Sequence, residues 1–219
     1  VATLDVLTVA EAKEALNLTA TTQYDATELP AWITGVSARL DELVGPVVRR
    51  TVTGETHDGG GYVIRLRYYP VTAVTSVTEY TDTVATVLTP ETNASKPADG
   101  YVLDPYSVPL ALANGTQVDL LGNAVRRRGG GSDRRFATGR RNIEVSYTPG
   151  RFADTATVTE QFKRAAALML LNVWRAQQEA VASVGEFDVP ASIFPRFVVP
   201  NAVRQMFPRE IQDTGRLVS

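Results

Sequence analysis

The sequence predicts an α+β chain in which helices from its two ends form one module around an inserted β-rich region. Three observations carry this. Apolar residues recur at helical spacing near each end. Between about residues 47 and 150 the pattern changes to short Val-, Thr- and Tyr-rich segments separated by glycine, proline and asparagine. After residue 185 the chain is apolar yet broken by prolines. With 219 residues the chain can bury roughly 70% of its unfolded surface, so neither a disulfide nor a metal is needed to hold it.

Thr8-Val9-Ala10-Glu11 has the form of a capping box, in which hydroxyl and carboxylate each satisfy the other's backbone N–H. Val9, Ala12 and Leu16 then share a face, predicting a short helix over 9–16. A polar, threonine-rich loop follows. A second helix is predicted from Glu28 to Val44, with Pro30 in its first turn and Trp32, Ile33, Val36, Leu40, Leu43 and Val44 at helical spacing. Gly45-Pro46 ends it.

The β-rich region is predicted from 47 to 150 as a small sandwich or barrel. Strand-forming runs lie at 47–53, 62–69, 71–80, 101–103, 117–121 and 143–147, the last alternating strictly. Asp58 to Gly61 has the composition of a hairpin tip, and Asn114-Gly115 that of a turn.

From Val158 to about Ser183 there is neither glycine nor proline, and Thr157 to Glu160 repeats the capping-box pattern. Phe162, Ala165, Ala166, Met169, Val173, Ala176 and Ala180 trace one face of this long helix. Leu168, Leu170, Leu171 and Trp174 widen the stripe, so the helix is buried on more than one side, either by its own domain or by a neighbouring subunit. Pro190, Pro195, Pro200 and Pro208 exclude a long helix beyond it. Ile193, Phe194, Phe197, Val198, Val199, Val203, Met206 and Phe207 make this stretch too apolar for a disordered tail. It is expected to be an extended arm, with a short helix near Asn201 to Phe207, docking on another chain or on its own domain. The expected divisions are 1–46 for the first helices, 47–150 for the inserted domain, 151–185 for the long helix and 186–219 for the arm.

Composition excludes much chemistry. There is no cysteine, and His57 is the single histidine, which removes thiolate and multi-histidine metal sites and cysteine nucleophiles. His57 adjoins Thr56 and Asp58, but neighbours in an extended chain point to different sides, so no triad forms from them. No Gly-x-Ser-x-Gly elbow, phosphate loop or calcium loop occurs. The sequence therefore predicts no enzyme, no cofactor, no metal site and no catalytic residue. No apolar run approaches the roughly 18 residues of a membrane span, and Val1 to Thr8 lacks a signal-peptide pattern, so a soluble, unexported chain is expected.

Arginine outnumbers lysine 19 to 3 in a chain of net charge -2. Genome composition accounts for such a bias, as does selection for interface ion pairs. Arg126, Arg127, Arg128, Arg134, Arg135, Arg140 and Arg141 fall within 16 residues opposed only by Asp133, giving +6 locally against -8 elsewhere. With Gly129 to Gly131 inside it, the segment is expected to be a flexible hairpin tip. It would be a solvated loop, a contact for an acidic partner, or a contact for packaged DNA.

Several motifs in series resemble the head-to-tail connector, or adaptor, family of tailed bacteriophages, in its actinobacteriophage form. They are Leu7-Thr8-Val9-Ala10-Glu11-Ala12-Lys13, the Leu29 to Gly45 helix ending in Val44-Gly45-Pro46, and Tyr69-Pro70-Val71-Thr72-Ala73-Val74-Thr75-Ser76-Val77. Glu144-Val145-Ser146-Tyr147-Thr148-Pro149-Gly150 leads into the capped helix, and the Phe187-Asp188-Val189-Pro190 and Phe197-Val198-Val199-Pro200 segments follow. The Arg126 to Arg141 segment lies outside the resemblance. The resemblance implies a structural virion protein of the neck, assembled in the host cytoplasm without membrane contact. It implies a ring of roughly twelve copies under the portal protein, carrying packaged DNA through its channel to the next neck or tail protein, with the C-terminal arm docked on the portal or a neighbour. A stopper or tail-terminator ring is the nearest alternative, and a nucleic-acid-binding protein using the arginine segment is another.

Overall fold

The computed structural model describes residues 4–18, 28–105, 110–111, 117–118, 122–183 and 199–207. The chain divides into two compact units, one of residues 1–48 with 152–219 and the other of Arg49–Arg151.

The first unit is helical. Helix α1 (Val9–Ala15) starts with the expected capping box: Thr8 N–H donates to Glu11 Oε2 at 2.8 Å, and Glu11 N–H to Thr8 Oγ1 at 3.2 Å. Helix α2 (Glu28–Val44) buries Leu29, Ile33, Val36, Leu40 and Val44 along one stripe, and Gly45 ends it with φ of 77°, a conformation glycine adopts without strain. Asp41 Oδ1 accepts from Val47 N–H at 2.8 Å and fixes the exit. The polar residues inside are matched: Ser37 Oγ accepts from Val6 N–H at 2.9 Å, and Thr34 Oγ1 donates to Asp5 at 3.2 Å.

Helix α3 (Glu160–Ser183) is preceded by one 3-10 turn, Thr155–Thr157. Here the capping differs from expectation. Thr157 forms its reciprocal box with Asp154, and α3 begins after Thr159, whose carbonyl accepts from Phe162 and Lys163. The acid three residues before Thr157 thus competes successfully with Glu160 three residues after it. Phe162, Ala165, Ala166, Met169 and Leu170 of α3 are buried, whereas Leu168, Leu171 and Trp174 are half-buried. Trp174 meets Trp32 edge to face at 5.4 Å, a geometry the ring quadrupoles favour. Short helix α4 (Asn201–Met206) closes the described part of the unit. The strands leading out of and back into the unit lie side by side, with a parallel bridge between Val48 and Phe152.

Among its described residues the second unit holds ten strands: β1 (Val52–His57), β2 (Val63–Arg65), β3 (Val71–Thr81), β4 (Val84–Pro90), β5 (Gly100–Pro105), β6 (Leu110–Ala111), β7 (Gln117–Val118), β8 (Gly122–Gly129), β9 (Ser132–Asp133) and β10 (Ile143–Pro149). An eight-stranded mixed sheet runs β1-β10-β3-β4-β5-β8-β2, with β9 paired to β8. All pairings are antiparallel except β4 with β5. Because β8 also meets β3 at Val71 and Gly122, β3, β4, β5 and β8 form a closed circuit, a barrel-like closure. Strands β6 and β7 form a separate pair.

The alternation in β10 does what its sequence requires: Ile143, Val145, Tyr147 and Pro149 face inward. Ile143, Val145 and Tyr147 pack with Ile64, Leu66, Val71, Val77, Leu88, Tyr101, Val125 and Phe136 as the core. Two glycine-rich stretches differ from expectation. Asp58 to Gly61 is no hairpin tip, since β1 pairs β10 and β2 pairs β8. A side chain at Gly59 would strike the Ala137 carbonyl at 1.8 Å, so glycine is there to let two backbones touch. Gly130 and Gly131, with φ of 56° and 85°, form a two-residue turn between β8 and β9. Such a turn needs positive φ at both positions, so this stretch is a defined hairpin turn. The Asn114-Gly115 turn lies outside the described residues.

Candidate assembly surfaces

The arginine-rich segment is built into the β-rich unit. Arg126, Arg127 and Arg128 lie in β8, and alternation turns Arg127 inward, where it is 3% exposed. Its guanidinium holds Glu79 of β3 at 3.2 Å and Asp99 at 2.7 Å, and donates to Gly100 O at 3.2 Å. Glu79 is itself buried and also accepts from Ala137 N–H. On the other side of the strand, Arg126 pairs with Asp104 at 2.9 Å and Asp133 at 3.3 Å. Arg128 pairs with Glu91 at 3.2 Å and with Asp133. Arg134 reaches Asp99 at 3.3 Å. Arg141 donates its backbone N–H to Asp58 and its Nε to Thr56. Arg135 lies 4.8 Å over the Tyr62 ring, and Arg140 is exposed.

The expectation of a flexible basic tip opposed by one aspartate is therefore corrected. Acids up to 48 residues away in sequence, Glu79 the most distant, are folded onto Arg126, Arg127, Arg128 and Arg134. A guanidinium already matched by carboxylates at hydrogen-bond distance offers little field to a phosphate. The hydrogen bond from Arg127 holds the Asp99 carboxyl below its ordinary range, as that from Lys96 does for Glu91.

His57 sits at the end of β1 with its Nε2 2.8 Å from Glu55 Oε1. The acid beside it is the residue two positions back on the same strand face, not its neighbours Thr56 and Asp58. Glu55 also accepts from Tyr147 OH at 2.6 Å and Arg67 N–H at 3.0 Å. Tyr147 OH in turn accepts from Tyr68 N–H at 3.1 Å. This cluster ties β1, β10 and the segment after β2 together. Burial and the Glu55 acceptor push the Tyr147 phenol well above its ordinary value. For Glu55, burial acts to raise the pKa, and the close His57 imidazole with hydrogen bonds from Tyr147 and the Arg67 N–H outweighs it, so the value is lowered.

A lowered folded-state pKa stabilises at pH above the unfolded value and is lost as pH falls through the folded one. Glu55, Glu91 and Asp99 all shift this way. The urea midpoint of the β-rich unit is thus expected to hold between pH 7 and about 5 and to fall below about pH 4, through the ordinary carboxylate range. Glu55→Gln, which keeps an acceptor for Tyr147, flattens that acid limb; an equally steep limb in the variant removes Glu55 from the explanation. Among the described residues no group of three or more acids or histidines converges as a metal site, and no described helix is long and apolar enough to cross a membrane.

The arm residues divide. Val199, Val203 and Phe207 are buried in their own unit, and Met206 is half-buried. Phe207 lies 4.8 Å from Phe162, which meets Phe152 edge to face at 5.4 Å. Gln161 Nε2 donates to Met206 O at 2.8 Å. Of the two expected seats, another chain or the arm's own domain, Val199, Val203 and Phe207 are found packed in their own unit. The start of α3 presents an aromatic surface within the same chain, and filling it intramolecularly avoids the entropy lost in association. Ile193, Phe194, Phe197 and Val198 lie outside the described residues.

Sequence reasoning missed Glu79 and Asp99 as partners of Arg127. A signal was available for one of them: Glu79 occupies the same strand parity as Val77 and Val71, and an acid on a core face demands a buried cation.

No protein-family model matches the chain, and no curated protein matches it by sequence. Among solved structures, it is similar to a chain of the neck of an empty GTA (gene transfer agent) particle computed with C6 symmetry, at 18% identity and a TM-score of 0.55. The likeness covers 96% of this chain and 92% of the other. The α+β fold found here, helices with an inserted mixed sheet, is thus one that a neck component of that particle also has.

Proposed function

We propose that this chain is a structural, non-enzymatic head-to-tail adaptor of a tailed phage or phage-like particle. It forms a ring under the portal that extends the DNA channel and joins head to tail. The observation that carries this is the fold likeness to a neck chain over nearly the whole length of both proteins. The sequence motifs that follow one another along the chain point to the same role. A ring of roughly twelve copies is compatible with a neck of six-fold symmetry, because twelve is a multiple of six.

The mechanism is burial of apolar surface between copies, with charged rims setting register. The half-buried Leu168 and Leu171 of α3 are surface that a neighbour would cover. Ile193, Phe194, Phe197 and Val198 are proposed to dock on the portal or a neighbour, leaving α4 to anchor the arm to its own unit. Arg127 serves the interior of the β-rich unit in this reading, Arg126 and Arg128 serve its ion pairs with Asp104, Glu91 and Asp133, and DNA passes the ring without their help. The virion neck is then the protein's location, with the portal above and the next neck or tail protein below. In cells infected by a phage whose copy of this gene is interrupted, electron microscopy should find heads and tails accumulating unjoined. Normal numbers of joined particles would contradict the adaptor role.

A further inference from the structure

We propose that Arg65, Arg67 and Arg135, together with the exposed Tyr62 and Tyr68, form the surface by which the β-rich unit of one copy meets the helical unit of the next copy. The proposal rests on the ring reading above and adds the contact that builds it.

These five residues lie on or beside β2, the last strand of the sheet order. Tyr62 directly precedes β2, Arg65 ends it, and Arg67 and Tyr68 follow. Arg135 is brought beside them because Phe136 N–H donates to Gly61 O at 2.8 Å and Arg135 Nη1 to Gly60 O at 3.3 Å. All three arginines are exposed, and none makes an ion pair with a carboxylate among the described residues. They differ in this from Arg126, Arg127, Arg128 and Arg134, whose charges are matched within the unit. Two of the three stack on tyrosine rings that are themselves open to solvent: Arg67 at 5.6 Å from the Tyr68 centroid and Arg135 at 4.8 Å from that of Tyr62. Stacking holds a guanidinium in place before a partner arrives, which lowers the entropy lost on binding. Tyrosine and arginine are also the side chains that most often carry binding energy in protein interfaces.

The charge of the chain is divided between its units in a way that names the occupant. The β-rich unit has thirteen basic and ten acidic residues, net +3, while the helical unit has nine and fourteen, net -5. Glu14, Glu28 and Glu160 of the helical unit are exposed. A basic patch on one unit and an acidic excess on the other make a heterologous contact, in which each copy offers two different surfaces. That is the kind of contact that closes rings. Charged residues at the β2 edge disfavour strand addition there, so the contact runs through side chains. DNA is the weaker candidate for this patch, because three guanidinia without a carboxylate partner among the described residues, in a chain of net charge -2, give little counterion release.

The test uses the full chain with its portal. Arg65→Glu, Arg67→Glu and Arg135→Glu together are expected to leave the thermal unfolding curve in place, since all three are exposed, and to reduce the ring to single-chain mass in light scattering. The conservative set Arg65→Lys, Arg67→Lys and Arg135→Lys should still form rings. Carbodiimide treatment of those rings should then link the new lysines to acidic residues of the helical unit of another copy, read by peptide mass spectrometry. Rings that persist in the glutamate variant, or links that go only to the β-rich unit or the portal, would overturn the proposal while leaving the adaptor reading intact. Unchanged rings with lost binding of duplex DNA, read by anisotropy, would assign the patch to DNA instead. Failure of the unaltered chain to form rings at all would count against the adaptor reading itself.

Discussion

Replacing Arg127 with methionine is expected to lower the unfolding free energy of the β-rich unit by about 3–5 kcal/mol. Methionine fills much of the space, so the loss is not one of packing. It arises because Glu79, buried on β3, would be left without the guanidinium that holds it at 3.2 Å, and an unpartnered buried carboxyl is costly in either protonation state. Gly100 O would lose its donor as well. Adding Glu79→Gln to Arg127→Met removes the stranded carboxyl and still offers an oxygen to the Ala137 N–H, so the double variant should recover part of the loss. Urea unfolding followed by circular dichroism gives both values. A loss under about 1 kcal/mol, the range of an exposed pair, would contradict the buried network.

Phe207→Ala should cost about 3–5 kcal/mol in the helical unit, as for other buried aromatic truncations. Phe207 is 1% exposed and its ring lies 4.8 Å from that of Phe162; its loss opens a cavity beside Phe162 that side chains from one short helix cannot refill. Trp32 and Trp174 lie in this unit, so tryptophan fluorescence in urea reports the change. An unshifted midpoint would mean that the arm does not pack on its own unit. The effect bears on how docking is tested. Cutting the chain after Val184 also removes Val199, Val203 and Phe207 from the core, so loss of portal binding by that fragment would report unfolding as readily as a missing contact. Polar replacement of Ile193, Phe194, Phe197 and Val198 leaves those three residues in place and isolates docking.

The elements legible in the sequence are those with a long periodic signal and a physical stop. Helix α2 runs over Glu28–Val44 because the apolar stripe, the early proline and Gly45 agree. Strand β10 faces inward at every second residue as its alternation requires. The α+β class follows from these and from the unbroken run of α3. What was not legible depends on long-range contacts. Seven arginines close in sequence look like a charged tip until Glu79, Glu91, Asp99 and Asp104 are folded against four of them. Gly59 and Gly130 have one composition and opposite uses, a close backbone approach and a hairpin turn. The Thr157 cap had two acids in reach, and local sequence did not rank Asp154 over Glu160. The apolar arm residues could satisfy their own unit or another chain equally well by composition, and α4 shows how three of them are satisfied.

Assembly on the portal is the central claim, and the mass of the full chain in solution tests it most directly. Light scattering would be recorded for the chain alone and mixed with the portal protein of the same particle. A single chain that converts to a ring-sized complex on the portal, in a ratio matching the portal's own symmetry, is the expected result. A chain that keeps its single-copy mass and shows no association with the portal would contradict it.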